Sequence, residues 1–118
     1  MPAVSPSDSD DTDPVSVVKQ YYRALDEHDY ETLEDVLTSE FVQRRPDRTF
    51  ESREAFVCFM RDARPNPDTE HELETVVADG DRVAVRGRVF DGETALFEFA
   101  DFFVLEDGRI GRLETYTQ

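Results

Sequence analysis

The chain has 118 residues, which is enough for a single domain with one hydrophobic core. Its 28 acidic and 13 basic residues give a formal net charge of −15, which argues against binding to DNA, RNA or an anionic membrane, because each of these requires a basic surface. The single cysteine excludes an internal disulfide and a cysteine-based zinc site.

The first predicted elements are a tail and a helix. Residues 1–12 are rich in Ser, Asp and Pro and contain few apolar residues, which predicts a disordered acidic tail before one domain over 13–118. Asp13 and Pro14 are typical of the N-cap and the first position of a helix. Apolar residues then recur at helical spacing, which predicts a helix over about 14–28 with one buried face.

Two shorter helices follow in the first half of the chain. The second begins after Asp29, and its expected inward-facing residues are Tyr30, Leu33, Val36 and Leu37. Residues 41–42 predict a short strand or extended arm, and residues 44–48 predict a proline-containing loop. The third helix starts at Ser52 and ends before Pro65.

The second half of the chain changes from helical periodicity to a period of two. Strands are predicted at about 70–78, 82–90, 94–105 and 109–116. Asp-Gly pairs separate them at 79–80, 91–92 and 107–108, and such pairs are strong hairpin signals. Helices followed by an antiparallel run predict an α+β fold, with three helices packed on one face of a curved sheet.

The acidic residues follow every predicted element, whereas Lys19 is the only lysine. Two explanations are open: adaptation to a molar-salt cytoplasm, where salt screens the repulsion between carboxylates, or a specific role as an interaction tail or a nucleic-acid mimic. Because a mimic concentrates its charge, we favour salt adaptation and a halophilic source, and we expect weaker folding in low salt.

Localisation and cofactors are inferred from missing signals. The N-terminus has no basic region followed by an apolar run, and no stretch approaches the ~20 apolar residues that span a bilayer, so we expect a cytoplasmic protein. Two widely separated histidines are not a metal signature, and there is no phosphate-binding glycine loop or dinucleotide fingerprint. We therefore expect no metal and no cofactor.

Three stretches of the chain carry a family resemblance. VVKQYYRALDEHDYETLEDVL is similar to the opening helix pair of the SnoaL-like, ketosteroid isomerase-related proteins of the nuclear transport factor 2-like superfamily. SREAFVCFMRD is similar to the third helix of that family, and FADFFVLEDGRIGRLETY resembles its last two strands. The resemblance covers about residues 14–117. It implies a cone-shaped open barrel with an interior pocket for a small molecule, and a homodimer.

Asp101 is the most informative single position. In the predicted strand, a period of two places it on one face with Phe97, Phe99, Phe103 and Leu105. A lone carboxyl among aromatic rings is costly to bury as an anion, so it should be neutral, paired or at the edge of a cavity. The resemblance implies that an Asp in this strand stays protonated and donates a hydrogen bond to a substrate oxyanion. The alternative is a structural pair with an arginine: Arg86, Arg88 or Arg112.

The remaining site residues also follow from the resemblance. Tyr21 matches the first-helix Tyr that partners this Asp in the family, although the adjacent Tyr22 makes the match ambiguous by one position. The alternative is that Tyr21 only packs in the core. The position of the isomerase base falls at Arg45, which cannot accept a proton at neutral pH. Steroid isomerisation is therefore not predicted, and Asp47, His71 or a water remain as proton carriers. For His71 we favour a surface position over that role.

The only basic cluster consists of Arg44, Arg45 and Arg48. One of these guanidinium groups would clamp a ligand carboxylate or enolate at the mouth of the pocket. The alternative, which we favour, is local ion pairing with Asp47, Glu51 and Glu54.

Two functional hypotheses result. We favour a domain that binds a small apolar cyclic or oxygen-bearing ligand without assured catalysis. The alternative is an acid–base enzyme of isomerase, cyclase, dehydratase or epoxide hydrolase type, in which Tyr21 and Asp101 are the hydrogen-bond donors. A third hypothesis is a structural dimer whose pocket is filled by Phe side chains. The candidate ligand-binding residues are Arg45, Phe59, Phe97, Phe99, Phe103 and Tyr116.

Overall fold

The computed structural model describes residues 13–118, so the tail expected over 1–12 lies outside the described residues. The helices are α1 (Pro14–Asp26), α2 (Tyr30–Asp35) and α3 (Arg53–Cys58), and a π-helical turn over Phe59–Ala63 continues α3. The strands are β1 (Leu37–Arg44), β2 (Thr49–Phe50), β3 (Glu70–Asp79), β4 (Arg82–Asp91), β5 (Thr94–Glu106) and β6 (Arg109–Thr117). Within 13–118, no helix is long and apolar enough to cross a membrane.

Each helix begins at a side chain that caps its free backbone N–H groups. The capping residues and their N–H donors are Asp13 with Ser16 at 3.3 Å, Asp29 with Thr32 at 3.2 Å, and Ser52 with Ala55 at 3.1 Å. A cap of this kind stabilises a helix by about 1 kcal/mol. The three helix starts that the sequence predicts are confirmed.

The first two helices end earlier than the sequence predicts. α1 ends at Asp26 rather than at 28, because His28 adopts a left-handed backbone conformation with a φ of 59°. Val36 and Leu37, expected on the inner face of α2, lie beyond its end. The carbonyl of Val36 instead accepts a hydrogen bond from the N–H of Ile110 at 2.8 Å, at the start of the pairing between β1 and β6.

The six strands form one sheet in the order β2-β1-β6-β5-β4-β3. All neighbours are antiparallel except β1 and β6, which run parallel. The predicted meander of the last four strands is confirmed, with Gly80, Gly92 and Gly108 at positive φ in its turns. The short strand expected at 41–42 is the longer β1, and β2 is not predicted. Since β2 and β3 are the two edges, the sheet of this α+β fold does not close.

The core lies between the helices and one face of the sheet, which we call the inner face. On β5, Phe99, Asp101 and Phe103 are buried, whereas Phe102 is 48% exposed on the opposite, outer face. The period-two prediction for this strand is therefore confirmed over most of its length. Phe97 departs from it, because it lies towards the open end of the strand and is 40% exposed.

A glycine on β4 allows the neighbouring strands to approach closely. A Cβ built on Gly87 would lie 2.2 Å from the carbonyl oxygen of Glu72 on β3 and 3.0 Å from the ring of Phe99 on β5. The pairing of β3 with β4 is irregular just beyond Leu73, next to this contact. The absent side chain therefore leaves room for the Phe99 ring on the inner face.

Candidate functional site

A cavity of about 280 Å³ opens between α1, the π-helical turn and the inner face of the sheet. Its apolar wall includes Leu25, Phe59, Met60, Val89, Phe97 and Phe99. Its polar lining includes Tyr21, Gln43, Arg45, Arg64, His71, Asp101 and Thr115. An apolar cavity with a few converging polar groups is the usual form of a small-molecule site, so this is the candidate functional site. Phe side chains do not fill it, contrary to the hypothesis of a purely structural pocket.

Asp101 lies in the wall of the cavity and is held by two hydroxyl groups. Tyr22 donates to Oδ2 at 2.5 Å, and Thr115, its cross-strand neighbour on β6, donates to Oδ1 at 2.6 Å. The residue is 5% exposed. Burial raises the pKa of Asp101 above the usual value for an aspartate, although the two hydroxyl hydrogen bonds act in the opposite direction. The carboxyl is therefore a buried group that gains a proton more readily than an exposed aspartate.

The expected alternative partners of Asp101 are engaged elsewhere. Arg86 lies 3.8 Å from Glu98, and Arg88 lies 2.8 Å from Glu74. Among residues 13–118, Arg112 forms no ion pair with Asp101 either. A pairing between Asp101 and an arginine was therefore the wrong alternative, because these arginines project from the outer face while Asp101 projects from the inner face.

A buried hydrogen-bond chain leads to Asp101 from β1. Gln43 is 3% exposed, and its Nε2 donates to Oγ1 of Thr115 at 2.9 Å. Since Thr115 gives its only hydroxyl proton to Asp101, it must accept from Gln43, which assigns the amide nitrogen to this side. The amide oxygen Oε1 of Gln43 is buried and has no partner among the described residues. An unpaired buried acceptor of this kind costs about 1–3 kcal/mol of stability.

The resemblance matched Tyr21 to the tyrosine that partners Asp101, but in the structure this partner is the adjacent Tyr22. Tyr22 holds Asp101, whereas the hydroxyl of Tyr21 lines the cavity and forms no hydrogen bond with any residue of 13–118. The ring of Tyr21 is fixed by Phe103, 5.4 Å away edge to face, and by Phe56, 6.2 Å away and stacked. Burial, followed by the charge of Asp101, raises the pKa of Tyr21 well above its usual value. Its hydroxyl therefore stays protonated and is a hydrogen-bond donor towards the cavity.

His71 is at the cavity rather than on the surface, so the favoured surface position was wrong. Its Nδ1 lies 2.7 Å from Oδ1 of Asp26, the last residue of α1, and its backbone N–H donates to Oδ2 of Asp26 at 3.0 Å. The two side chains are 15% and 20% exposed. Strand periodicity puts His71 on one face with Leu73, which is a weak signal, and no pattern marks Asp26. The other histidine, His28, is exposed.

The basic cluster forms local ion pairs, and one of its arginines also lies at the cavity. Asp47 lies 3.8 Å from Arg45 and 3.7 Å from Arg48, so local ion pairing is present. Arg45 nevertheless lines the cavity, whereas Arg48 lies over the ring of Phe59 at 4.7 Å. Among the described residues, neither Glu51 nor Glu54 takes part in an ion pair.

A second arginine at the cavity was missed by the sequence analysis. Arg64 donates from a terminal guanidinium nitrogen to the hydroxyl of Tyr30 at 3.0 Å, while its buried Nε has no partner among the described residues. Arg64 follows the π-helical turn directly and lines the cavity. No periodic pattern marks this position, because only the turn and the loop after it bring the side chain inward.

The predicted ligand-binding residues divide into two groups. Phe59, Phe97 and Phe99 line the cavity together with Arg45. Phe103 and Tyr116 do not: Phe103 is 1% exposed, in the core behind the two tyrosines of α1, and Tyr116 is 53% exposed on the outer face. Because Leu113 and Thr115 face inward, the period of two turns Tyr116 outward, and its ring packs 5.9 Å from Phe102. Within 13–118, no group of three or more His, Cys, Asp or Glu residues is placed to hold a metal ion.

A comparison with family models matches residues 18–113 to a family described as a SnoaL-like domain. No curated protein matches the chain. Among solved structures, an NTF2-like protein of unknown function from Cytophaga hutchinsonii is 16% identical, with 90% of each chain covered and a TM-score of 0.78. An LEH-like epoxide hydrolase from M. tuberculosis is 19% identical, covering 89% of this chain and 82% of that one, with a TM-score of 0.74. A Sphaerobacter thermophilus protein is 17% identical over 88% of this chain and 94% of that one, with a TM-score of 0.74. At these identities the structural likeness shows the fold alone.

Proposed function

The chain belongs to the SnoaL-like domain family, and from that premise we propose that its cavity binds a small apolar molecule, cyclic and oxygen-bearing. The observation that carries this proposal is the hydroxyl of Tyr21, a buried donor that lines an apolar cavity and has no partner among the described residues. A ligand oxygen is the natural acceptor for it.

The rest of the lining supports the same ligand chemistry. The volume of about 280 Å³ lies just below the ~300–1,000 Å³ range of ligand pockets, which favours a small molecule with one or two rings. Met60, Phe97 and Phe99 offer apolar contacts to such rings. The guanidinium groups of Arg45 and Arg64 favour a ligand oxygen that carries negative charge, such as that of a phenolate, an enolate or a carboxylate.

An acid–base enzyme of isomerase, cyclase, dehydratase or epoxide hydrolase type is the second candidate. A specific observation favours it: Asp101 and Tyr21 are both buried at the cavity and both have raised pKa values. In their protonated forms both groups are hydrogen-bond donors, as required to stabilise charge that develops on a substrate oxygen. Arg45, at the position of the isomerase base, still argues against steroid isomerisation.

Ligand binding is tested with phenol and cyclohexanone as probes, by thermal unfolding and calorimetry in molar KCl. We expect phenol to raise the melting temperature of the wild-type protein, because a ligand that binds only the folded state stabilises it. Tyr21→Phe should weaken phenol binding about 5- to 10-fold, in line with one lost hydrogen bond of about 1 kcal/mol. The matched control is Tyr116→Phe, since Tyr116 is exposed on the outer face. Equal phenol affinity in Tyr21→Phe and wild type would contradict the proposal, as would no binding of either probe.

We also propose that the outer face of the sheet is the surface of a homodimer. Val77, Phe102 and Tyr116 are 59%, 48% and 53% exposed there. The pairing registers align Val77 and Phe102 across Ala84, which makes the apolar patch continuous. Arg82 and Arg112 flank Val104 in the next row. This outer face is therefore less acidic than the chain as a whole, which suits contact with a second equally acidic copy.

The net charge of −15 supports a further proposal, that the protein is adapted to a molar-salt interior. At such salt concentrations the screening length is about 3 Å, so neighbouring surface carboxylates no longer repel one another strongly. The presence of only one lysine among 13 basic residues is in keeping with the same adaptation.

A further inference from the structure

Asp26 and His71 form a partly buried contact that the proposed ligand binding does not use. They lie 45 residues apart in sequence, at the end of α1 and near the start of β3. Both oxygens of the Asp26 carboxyl accept from His71: Oδ1 from Nδ1 at 2.7 Å and Oδ2 from the backbone N–H at 3.0 Å. The carboxylate therefore fixes the position of the strand as well as that of the ring.

This contact determines which ring nitrogen of neutral His71 carries the proton. A carboxylate only accepts hydrogen bonds, so Nδ1 must be the N–H donor and Nε2 must carry the free lone pair. No hydrogen bond joins Nε2 to any residue of 13–118, and His71 lines the cavity. The ring is held by Tyr22, 5.1 Å away, and by Phe99, 5.5 Å away and nearly perpendicular. His71 is thus a fixed imidazole with an unoccupied basic nitrogen at the cavity.

We propose that His71 is the general base of this cavity and that Asp26 is its positioning residue, acting on a small carbon acid whose conjugate base carries its charge on oxygen. The proposal rests on the proposed ligand binding. In an enolisable ketone, Nε2 takes the proton from carbon, the C–H electron pair becomes the C=C bond, and the carbonyl electron pair moves to oxygen. The resulting oxyanion accepts a hydrogen bond from Tyr21, and Asp26 stabilises the imidazolium that forms.

The charges around the ring favour this assignment. Asp26 from α1 touches it directly, and the negative charge of Asp101 from β5 interacts with a protonated His71. The ring of Tyr22, which also packs against His71, carries no charge. Asp26 stabilises the imidazolium product of proton abstraction, and Asp101 does so when it is ionised. Arg45, the residue at the isomerase base position, cannot accept a proton.

The test uses 5-nitrobenzisoxazole, whose ring opening is a one-step proton abstraction. The base takes the proton from C3, the C–H electron pair completes the nitrile, and the N–O bond breaks to give 2-cyano-4-nitrophenolate, which is followed by its colour. We expect wild type to accelerate the reaction over buffer and His71→Gln to lose about 100-fold or more of kcat. Asp26→Asn should lower kcat at least tenfold with little change in KM. His28→Asn is the matched control, and it should retain the wild-type rate within about twofold, because this exposed histidine lies in a turn.

A turnover rate in His71→Gln equal to that of wild type would overturn the proposal. So would phenol binding by wild type without any acceleration of 5-nitrobenzisoxazole opening, and in that case the ligand-binding proposal would survive. If wild type neither binds phenol nor accelerates the ring opening, both proposals are rejected together. Circular dichroism confirms that each variant is folded before its rate is interpreted.

A second measurement needs no substrate. Long-range proton–nitrogen NMR spectra of protein labelled with nitrogen-15 histidine distinguish the two tautomers of a neutral ring. We expect wild-type His71 to show a protonated Nδ1 and a bare Nε2, and Asp26→Asn to lose that preference. A protonated Nε2 in neutral wild-type His71 would overturn the assignment, whatever the kinetics.

Discussion

Replacing Asp101 by Asn tests the balance of forces at the centre of the site. In the folded protein, burial raises the pKa of this carboxyl, while the hydroxyls of Thr115 and Tyr22 oppose the rise. A raised folded-state pKa means that the native state binds the proton more tightly than the unfolded chain does. The stabilising contribution of protonated Asp101 is therefore complete below the unfolded-state pKa and is lost as the pH rises through the folded-state pKa.

Asn mimics the protonated carboxyl at every pH, so Asp101→Asn should not lose this contribution. The free energy of unfolding of the variant, minus that of wild type, should therefore increase as the pH rises through this window. The expected change is about 1.4 kcal/mol for each unit by which the two pKa values differ. Because Asp101 is only 5% exposed, solvent screening should not reduce this effect much.

The assay is urea unfolding in molar KCl, followed by circular dichroism at several pH values. Asp107→Asn, in an exposed turn, is the control for the loss of one negative charge. Tyr22→Phe removes one of the opposing hydrogen bonds, so its stability should fall more steeply with rising pH than that of wild type. A difference between Asp101→Asn and wild type that decreases with rising pH would refute the reasoning, since the two hydroxyl hydrogen bonds would then outweigh burial.

Two other predictions concern the surface of the molecule. Lowering KCl from molar to about 10 mM lengthens the screening length from about 3 Å to about 30 Å, so the free energy of unfolding should fall markedly. Urea unfolding at both KCl concentrations measures this change. A free energy of unfolding that is independent of salt would contradict salt adaptation. Phe102→Glu places a charge in the centre of the apolar outer-face patch and should convert the proposed dimer to a monomer in sedimentation equilibrium. The control is Glu93→Gln, in an exposed turn away from the patch, and a wild-type protein that is itself monomeric would reject the dimer.

The sequence by itself determined the features that depend on near neighbours. Asp13, Asp29 and Ser52 mark the helix starts, because a capping side chain reaches an N–H group only a few residues ahead. The Asp-Gly pairs fix the hairpins for the same local reason. The period of two in β5 likewise identified Asp101 as a carboxyl among aromatic residues before any fold was known.

The sheet topology depended on contacts between distant parts of the chain. The pairing of β1 with β6 brings Gln43 and Leu113 side by side, and no local pattern near Gln43 encodes that partner. The parallel pair adds β1 to the predicted meander, and β2 then pairs with the free edge of β1. The sequence therefore supported the fold class but not the complete sheet.

The site depended on tertiary structure to a greater degree. The sequence matched Tyr21 to the partner of Asp101, and only the packing of α1 on β5 shows that Tyr22 holds Asp101 while Tyr21 lines the cavity. The contact between Asp26 and His71 joins the end of a helix to a strand 45 residues later. Such pairs have no periodic or capping signature, because their geometry exists only once distant segments have packed together.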